Sequence, residues 1–415
     1  MARPPLDGIR IADFTWVWAG PYCTLQLAHL GADVIRIETK TRPCVTRQLP
    51  PWPDMKPGGL NRSGYFNQYS QGKRSVTLNF KDPEAHEVAR KLIAKSDVVV
   101  NNFAHGVMDK MGFGYEALRK IKPDIIAMSL TGYGDTGPYR DYIAYGPAQV
   151  PLSGLSALTG YRGWPPMHAG FSYADPNAGV HGAFAIITAL FHRAKTGQGQ
   201  YIDMSQWECA MGMLAEGILQ YTMNGKERER IGNEDPLMAP HGIYRCVDRP
   251  DKVMGAVVDQ FVAIAVADDG EFGRFAAAIG QPQLGANAKF ATLRARKANE
   301  AELNRIVEEW TASRAAVEVA RVLQEAGIAA AVVADNKFLS EEDPQLKDRN
   351  YFVYKEHPET GVFQHCGMPW KMSRTETSVR SAAPCIGQHT DEVLTQVLGY
   401  SPDDVAKLRA QGALD

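Results

Sequence analysis

Asp175 stands immediately before Pro176 in the stretch FSYADPNAGVHGAFAIITALFHRA, residues 171–194. Two kinds of chemistry fit it. Proline suits the first position of a helix, where no backbone donor is needed, and an aspartate one step earlier accepts the free amides of the first turn. The same carboxylate, at the positive end of a helix dipole, is held ionised, as a nucleophilic carboxylate must be. Gly170, Gly179 and Gly182 leave room for a bulky ligand beside it. On this stretch alone, the cap reading is favoured over the nucleophile.

A second set of residues carries positive charge. Arg36, Lys40, Arg42 and Arg47 follow one apolar run, Lys73 and Arg74 follow Gly72, and Lys110 comes soon after Asn101, Asn102, Phe103 and His105. Such groups suit a ligand bearing phosphates; for any one of them a solvated basic surface is the better reading, and it is their recurrence at strand ends that brings the phosphate-bearing ligand level with it. Trp16 and Trp18 lie in TWVWAGP, a loop position where a buried aromatic is less expected. Gly132, Gly134 and Gly137 match GxGxxG, but Pro138 and Arg140-Asp141 follow, and no acidic residue lies between Asp141 and Asp175 to meet a ribose. The ten histidines are scattered, and neither HExxH nor GxxxxGK[ST] occurs. Metal-free, non-nicotinamide chemistry is the expectation.

The elements that must position these residues alternate. Apolar strands are predicted at 9–14, 32–38, 75–80, 97–103, 124–130 and 200–205. Helices intervene, opened by Gly20-Pro21 and by Asp82-Pro83 and closed by Gly31. This pattern predicts an α/β fold, a Rossmann-like doubly wound parallel sheet. Such sheets bind ligands outside the carboxyl ends of their strands, where Trp16, Arg42 and Asn102 fall. The run QWECAMGMLAEGILQYTMNG predicts a helix apolar on nearly all sides, which must be buried in the core or against a partner chain. After Lys226 the texture changes to a loop-rich IGNEDPLMAPHGIYRCVD, a β-like VMGAVVDQFVAIAV and two polar amphipathic helices. The predicted organisation is a large domain over 1–225, a smaller inserted α+β domain over 226–330, and a return to the large domain over 331–415.

Composition narrows the class. The 415 residues are 45% hydrophobic and 22% charged, with a net charge of −2, ordinary globular values without the footprint of a nucleic-acid or acidic-membrane binder. Six cysteines and no CxxC pair point to reduced thiols. MARPPLDGIR lacks the apolar core of a signal peptide, and the apolar run after Asp175 is shorter than the roughly 20 residues of a membrane span. A cytoplasmic protein is expected.

The ordered blocks LDGIRIADF, AGPYCTLQLAHLGADVIRIE, QGKRSVTLNFKDPE, SDVVVNNFAHGVMDKMGF, SLTGYGDTGPY, RAKTGQGQYIDMS, GNEDPLMAPHGIYRC and IGQHTDEVLTQVLGY run end to end. With ADPNAG among them, the chain resembles the class III CoA-transferase family. The resemblance implies a large domain made of both chain ends and two subunits interlocked like chain links, as a homodimer or with a paralogous partner. It implies Asp175 as the nucleophile, a CoA thioester as substrate rather than a bound cofactor, and no metal. It carries CoA contacts onto Val17, Gly72, Lys73, Arg74, Asn102, Phe103, Val107 and Lys110, and an aromatic beside the active site onto Tyr133.

Three departures from the family's formyl-CoA transferases bear on substrate. Thr39 replaces a CoA-phosphate arginine, leaving Arg36, Lys40 or Arg42 to take that role. Trp18 replaces a glutamine that holds a small diacid, and a covering glycine run is absent. TWVWAGP and CVTR are similar to the nucleophile-bearing subunit of succinyl-CoA:benzylsuccinate CoA-transferase, which implies succinyl-CoA as donor and a bulky or aromatic acceptor acid. Relatives that epimerise 2-methylacyl-CoA offer an alternative, racemase or isomerase activity, with His168 and His181 as the histidines near the site. A catalytically silent scaffold subunit is the third reading, against which Asp175 argues.

Overall fold

A computed structural model of the chain describes residues 3–251 and 255–414. The six predicted strands form one parallel sheet: β1 (Arg10–Asp13), β2 (Asp33–Glu38), β3 (Arg74–Thr77), β4 (Val98–Asn101), β5 (Ile126–Thr131) and β6 (Tyr201–Ser205). Their spatial order is β3-β2-β1-β4-β5-β6. Strand order therefore reverses beside β1, which pairs with β2 through Ile11↔Val34 and with β4 through Ile11↔Val98. Most of the residues of β1 to β5 are buried, as expected of strands covered on both faces.

The helices of this unit begin with α1 (Ala19–His29), α2 (Gly64–Tyr69), α3 (Pro83–Ala94), α4 (Val107–Lys110) and α5 (Tyr115–Ile121). Asp82 caps α3 as its Asp-Pro signal predicts, accepting from the Glu84 amide at 2.8 Å. Then come α6 (Gly146–Leu152), α7 (Leu155–Leu158), the long α8 (Ala174–Thr196), α9 (Gln206–Met211) and α10 (Ala215–Asn224). Helix α8 packs along α1 through its glycines: a Cβ at Gly179 would lie 2.8 Å from the Ala19 carbonyl, and one at Gly182 would crowd Cys23 and Met128. Gly179 and Gly182 thus serve helix and sheet packing, not the ligand access read from the sequence.

The C-terminal segment closes the far edge of the same sheet. The His389 amide donates to the Ser75 carbonyl at 2.9 Å, and the Asn79 amide to that of Ala413 at 2.9 Å. One compact unit comprises residues 1–157, 168–228 and 345–415, and so includes both chain ends.

The second unit comprises residues 158–167 and 229–344. Strands β7 (His241–Asp251), β8 (Ala256–Ala265) and β9 (Ala329–Val332) form an antiparallel sheet in that order, accompanied by α11 (Asp269–Ala278), α12 (Leu293–Ala298), α13 (Glu300–Thr311) and α14 (Ala316–Glu325). Two expectations differ here. The segment read as loop contains strand β7, whose Pro250 is accommodated because β7 is the sheet edge and carries a register shift between Cys246 and Arg249. The boundary expected at 330 lies near 344, because Ala329–Val332 pairs with β8 through Ala263↔Ala331 instead of rejoining the large sheet.

The apolar run near Met213 departs from the single long helix expected. It breaks into α9, a 3-10 turn (Gly212–Leu214) and α10, and no residue of α10 is buried within the chain. Ile218, Leu219, Tyr221 and Met223 are between 49% and 75% exposed. Among the described residues, no helix is long and apolar enough to cross a membrane.

Candidate active site

Asp175 is not the cap of α8. The helix begins at Ala174, flanked by Tyr173 with φ −61° and ψ −30°, so the backbone is already helical where a capping side chain needs an extended conformation. The carboxylate is instead held from the side. Its Oδ1 accepts from Gln206 Nε2 at 2.9 Å, and its Oδ2 accepts from the Ser172 hydroxyl. Only 7% of the residue is exposed. Burial pushes its pKa above the usual carboxylate range, opposed by hydrogen bonds from Ser172, Gln206 and the Ala19 backbone. Desolvation thus outweighs these hydrogen bonds, where the sequence reading held the carboxylate ionised. Close support of this kind needs a glycine opposite: a Cβ at Gly146 would collide with Ser172 Oγ and Asp175 Oδ2.

A cleft of about 550 Å3 is lined by Asp175 and Gln206 together with Thr131, Gly132, Trp16, Phe103, Arg42, His105 and Arg140. Phe14, Asn102 and Thr131 place it at the carboxyl ends of β1, β4 and β5, over the point where strand order reverses. The loop after β1 is clamped there. Asn102 Oδ1 accepts from the Trp16 amide at 2.7 Å, and its Nδ2 donates to the Trp16 carbonyl at 2.8 Å. Val17 has φ 63°, unusual for a β-branched residue, and its amide donates to Cys44 Sγ at 3.2 Å. The Trp16 ring meets Phe103 edge-on at 5.8 Å and lies under the Arg42 guanidinium at 5.4 Å.

Of the residues expected to contact CoA, Val17, Arg42, Asn102, Phe103 and Val107 line this cleft together, with Thr39 beside them. The others are not brought there. Lys73 has a fully buried side chain, its Nζ donating to Thr24 Oγ1 at 2.7 Å and the Pro21 carbonyl at 2.8 Å, with Asp13 Oδ2 3.5 Å away. Arg36 is also fully buried, 3.4 Å from Glu38. Arg74 is tied to Asp33 at 2.7 Å and Glu392 at 3.0 Å. Gly72 has φ 70° and donates to the Ser381 carbonyl. Lys40 and Lys110 are exposed and do not line the cleft. Charge counting at strand ends missed this because it cannot tell a buried ion pair from a free cation.

Tyr133 lies at the cleft's flank, 6.1 Å from the ring of Tyr142, which lines it, and 6.0 Å from Trp207. Trp18 is half-buried in an aromatic wall with Tyr65 at 5.7 Å, Tyr69 at 5.3 Å and Phe171 at 6.3 Å. Burial raises the Tyr65 hydroxyl pKa, and the nearby charge of Asp175 raises it further. Sequence reasoning passed over Ser172, Gln206 and Tyr65. It noted Arg140 and His105 without giving them a role. Only the position of Gln206 right after β6 signalled a strand-end residue. His168 and His181 are exposed, and His181 Nδ1 sits 2.9 Å from the Asn177 carbonyl of its own helix. Among the described residues, no group of three or more His, Cys, Asp or Glu could hold a metal ion.

A doubly wound sheet with a buried carboxylate lining a partly cationic cleft at its strand ends has the arrangement of an α/β enzyme. The chain belongs to CoA-transferase family III, whose sequence profile it matches over residues 6–390, and it is a CoA-transferase. It is 34% identical to the formyl-CoA:oxalate CoA-transferase of Rhodopseudomonas palustris, over 99% of this chain and 97% of that one. It is 32% identical to the succinyl-CoA–L-malate CoA-transferase beta subunit of Chloroflexus aurantiacus, over 98% of this chain and 97% of the relative. Its fold matches the crystal structure of a CAIB/BAIF family protein from Brucella suis with a TM-score of 0.85 and 32% identity, covering 96% of this chain and all of the other.

Proposed function

We propose that this enzyme moves CoA from succinyl-CoA to a free, bulky or aromatic organic acid, with Asp175 as the covalent nucleophile. The observation that carries the mechanism is the Asp175 carboxylate itself, buried, lining the cleft and held on both oxygens by neutral donors. Burial strips water from the carboxylate and raises its basicity, which favours attack on a thioester carbonyl and protects the intermediates from hydrolysis. Attack yields a mixed anhydride and CoA thiolate. The thiolate then attacks the aspartyl carbonyl, releasing the first acid and leaving an aspartyl-CoA thioester. The acceptor carboxylate repeats the sequence in reverse.

Arg42, Asn102, Phe103, Val17 and Val107 are the proposed CoA contacts, joined by Arg140 in place of Lys73 and Arg74. The succinyl donor is suggested by the succinyl-CoA-named relative, and the bulky acceptor by the wall of Trp18, Tyr65, Tyr69 and Phe171. The exposed apolar faces of α10 and of α8, where Val180, Phe184 and Phe191 stand out, support assembly with a second subunit, identical or paralogous.

The test combines two measurements. Protein incubated with acyl-CoA and then hydroxylamine is expected to carry the adduct at Asp175, on the peptide Phe171–Arg193. Asp175→Asn keeps a planar group for Gln206 and Ser172 and should melt within about 1 kcal/mol of wild type, while turnover falls by orders of magnitude. Normal turnover in that variant would sink the mechanism. A panel of carboxylic acids with succinyl-CoA, read by mass spectrometry, identifies the acceptor class.

A further inference from the structure

The two oxygens of the Asp175 carboxylate have different keepers. Oδ1 takes a hydrogen bond from the side-chain amide of Gln206, which is itself buried at 5% exposure. A carboxylate only accepts, so the NH2 end of that amide must face it, and a planar amide remains a donor at every stage of a reaction. Oδ2 takes its hydrogen bond from the Ser172 hydroxyl, which withdraws or returns by rotation about one bond. Beside Oδ2 stands Gly146, where any side chain would collide with it. Among the side-chain donors, one oxygen is therefore fixed in an amide's grip, and the other is held by a rotor next to a position without a side chain.

We propose that this asymmetry assigns each oxygen one fate: Oδ2 is the attacking and departing oxygen, while Oδ1 stays on Cγ through every turnover, with Gln206 as the donor that stabilises its charge. The inference rests on Asp175 being the nucleophile. In the first step a bond forms between Oδ2 and the acyl carbon, the carbon–sulfur bond breaks, and its electron pair leaves on the CoA thiolate. The thiolate then attacks Cγ and negative charge gathers on Oδ1, opposite Gln206. Collapse breaks the Cγ–Oδ2 bond, so the freed acid carries Oδ2 away. In the second half an oxygen of the acceptor carboxylate attacks Cγ and expels the thiolate. The thiolate then attacks the acceptor's acyl carbon, and the bridging oxygen remains on Cγ as the new Oδ2. No net proton is consumed, and each cycle replaces one oxygen of Asp175 with one from the acceptor.

Many turnovers with an acceptor acid heavy-oxygen-labelled in its carboxylate, followed by mass analysis of the peptide Gly163–Arg193, read this directly. The expected result for wild type is a plateau at one labelled oxygen on Asp175. A plateau at two would show that the oxygens exchange roles and would overturn the proposal while leaving the nucleophile intact. No label, with turnover proceeding, would overturn the aspartyl mechanism beneath it. Gln206→Leu is expected to lower kcat by about 100- to 1,000-fold with KM little changed, as for loss of an oxyanion donor, and to let the plateau rise towards two. Ser172→Ala should keep one label but move the acidic limb of kcat/KM to higher pH, since a hydrogen bond that favours the ionised carboxylate is gone. A limb that stays in place would reduce Ser172 to packing and remove its half of the proposal.

Discussion

Replacing Lys73 by alanine separates two readings of a basic residue. If Lys73 gripped a CoA phosphate, its loss would remove a charge-assisted contact of about 1.5–3 kcal/mol and raise KM by roughly ten- to a hundredfold. The structure predicts something else. Lys73 and Asp13 both have fully buried side chains, and Asp13 also accepts from the Thr15 amide at 2.8 Å and from Thr24 Oγ1 at 2.7 Å. Burial already pulls the lysine pKa down to about 8, against the pull of Asp13, so the ammonium is maintained at a cost. Removing it takes away the nearest buried counter-ion of Asp13 and leaves only the more distant Arg36, a loss of about 3–5 kcal/mol. Against a total stability of roughly 5–15 kcal/mol, such a loss is visible in any unfolding measurement. Lys73→Ala should melt early or express poorly, and surviving folded enzyme should bind CoA substrates with near-normal KM. Adding Asp13→Asn to Lys73→Met should recover a good part of the loss, because the pair acts as a unit. Normal melting with a KM raised tenfold or more in Lys73→Ala would refute this reasoning and return Lys73 to the ligand.

Other perturbations follow from the same geometry. Trp18→Gln opens one side of the wall formed with Tyr65, Tyr69 and Phe171. The kcat/KM ratio of a short diacid to a bulky acid should rise by about tenfold or more; an unmoved ratio with unchanged melting would place Trp18 in packing alone. Glu38 is fully buried, and although burial raises its pKa, Arg47 at 2.7 Å and then Arg36 draw it down from 4.5 to about 2. A carboxylate lowered this way stabilises the fold above its unfolded pKa. About 3 kcal/mol should therefore be lost as pH falls from about 5 towards 2, and urea unfolding of Glu38→Gln should lack that acid dependence. Leu219→Asp places a charge on the exposed apolar face of α10. Sedimentation should show the wild type assembled and this variant dissociated or aggregated, and an active wild-type monomer at low concentration would exclude the dimer.

The sequence by itself determined the sheet. Apolar runs such as Val98–Val99–Val100 and Ile126–Ala127–Met128, spaced by helices with Pro and Gly punctuation, can bury both faces only in a parallel sheet layered between helices. It also determined that a carboxylate opens the helix behind ADP, and that Asn102 and Trp16 end up near strand termini. What it could not determine was which side of a boundary each polar group faces. Arg36 and Lys73 alternate along strands and turns just as surface residues do, yet Asp13, 60 residues away, draws Lys73 inside, and Arg36 is buried beside its strand neighbour Glu38, which Arg47 and Ser75 hold from elsewhere in the chain. Asp175 reads locally as a cap, and only packing of α8 on α1, through Gly179, sets it beside Ala19, Ser172 and Gln206 instead. AAVVADN has strand texture wherever it goes; the free edge of β8 decided that it joins the smaller sheet. Local propensity is carried by neighbours in the chain, whereas burial, ion pairing and strand partnership are set by contacts between residues tens to hundreds of positions apart, and these exist only once the chain has folded.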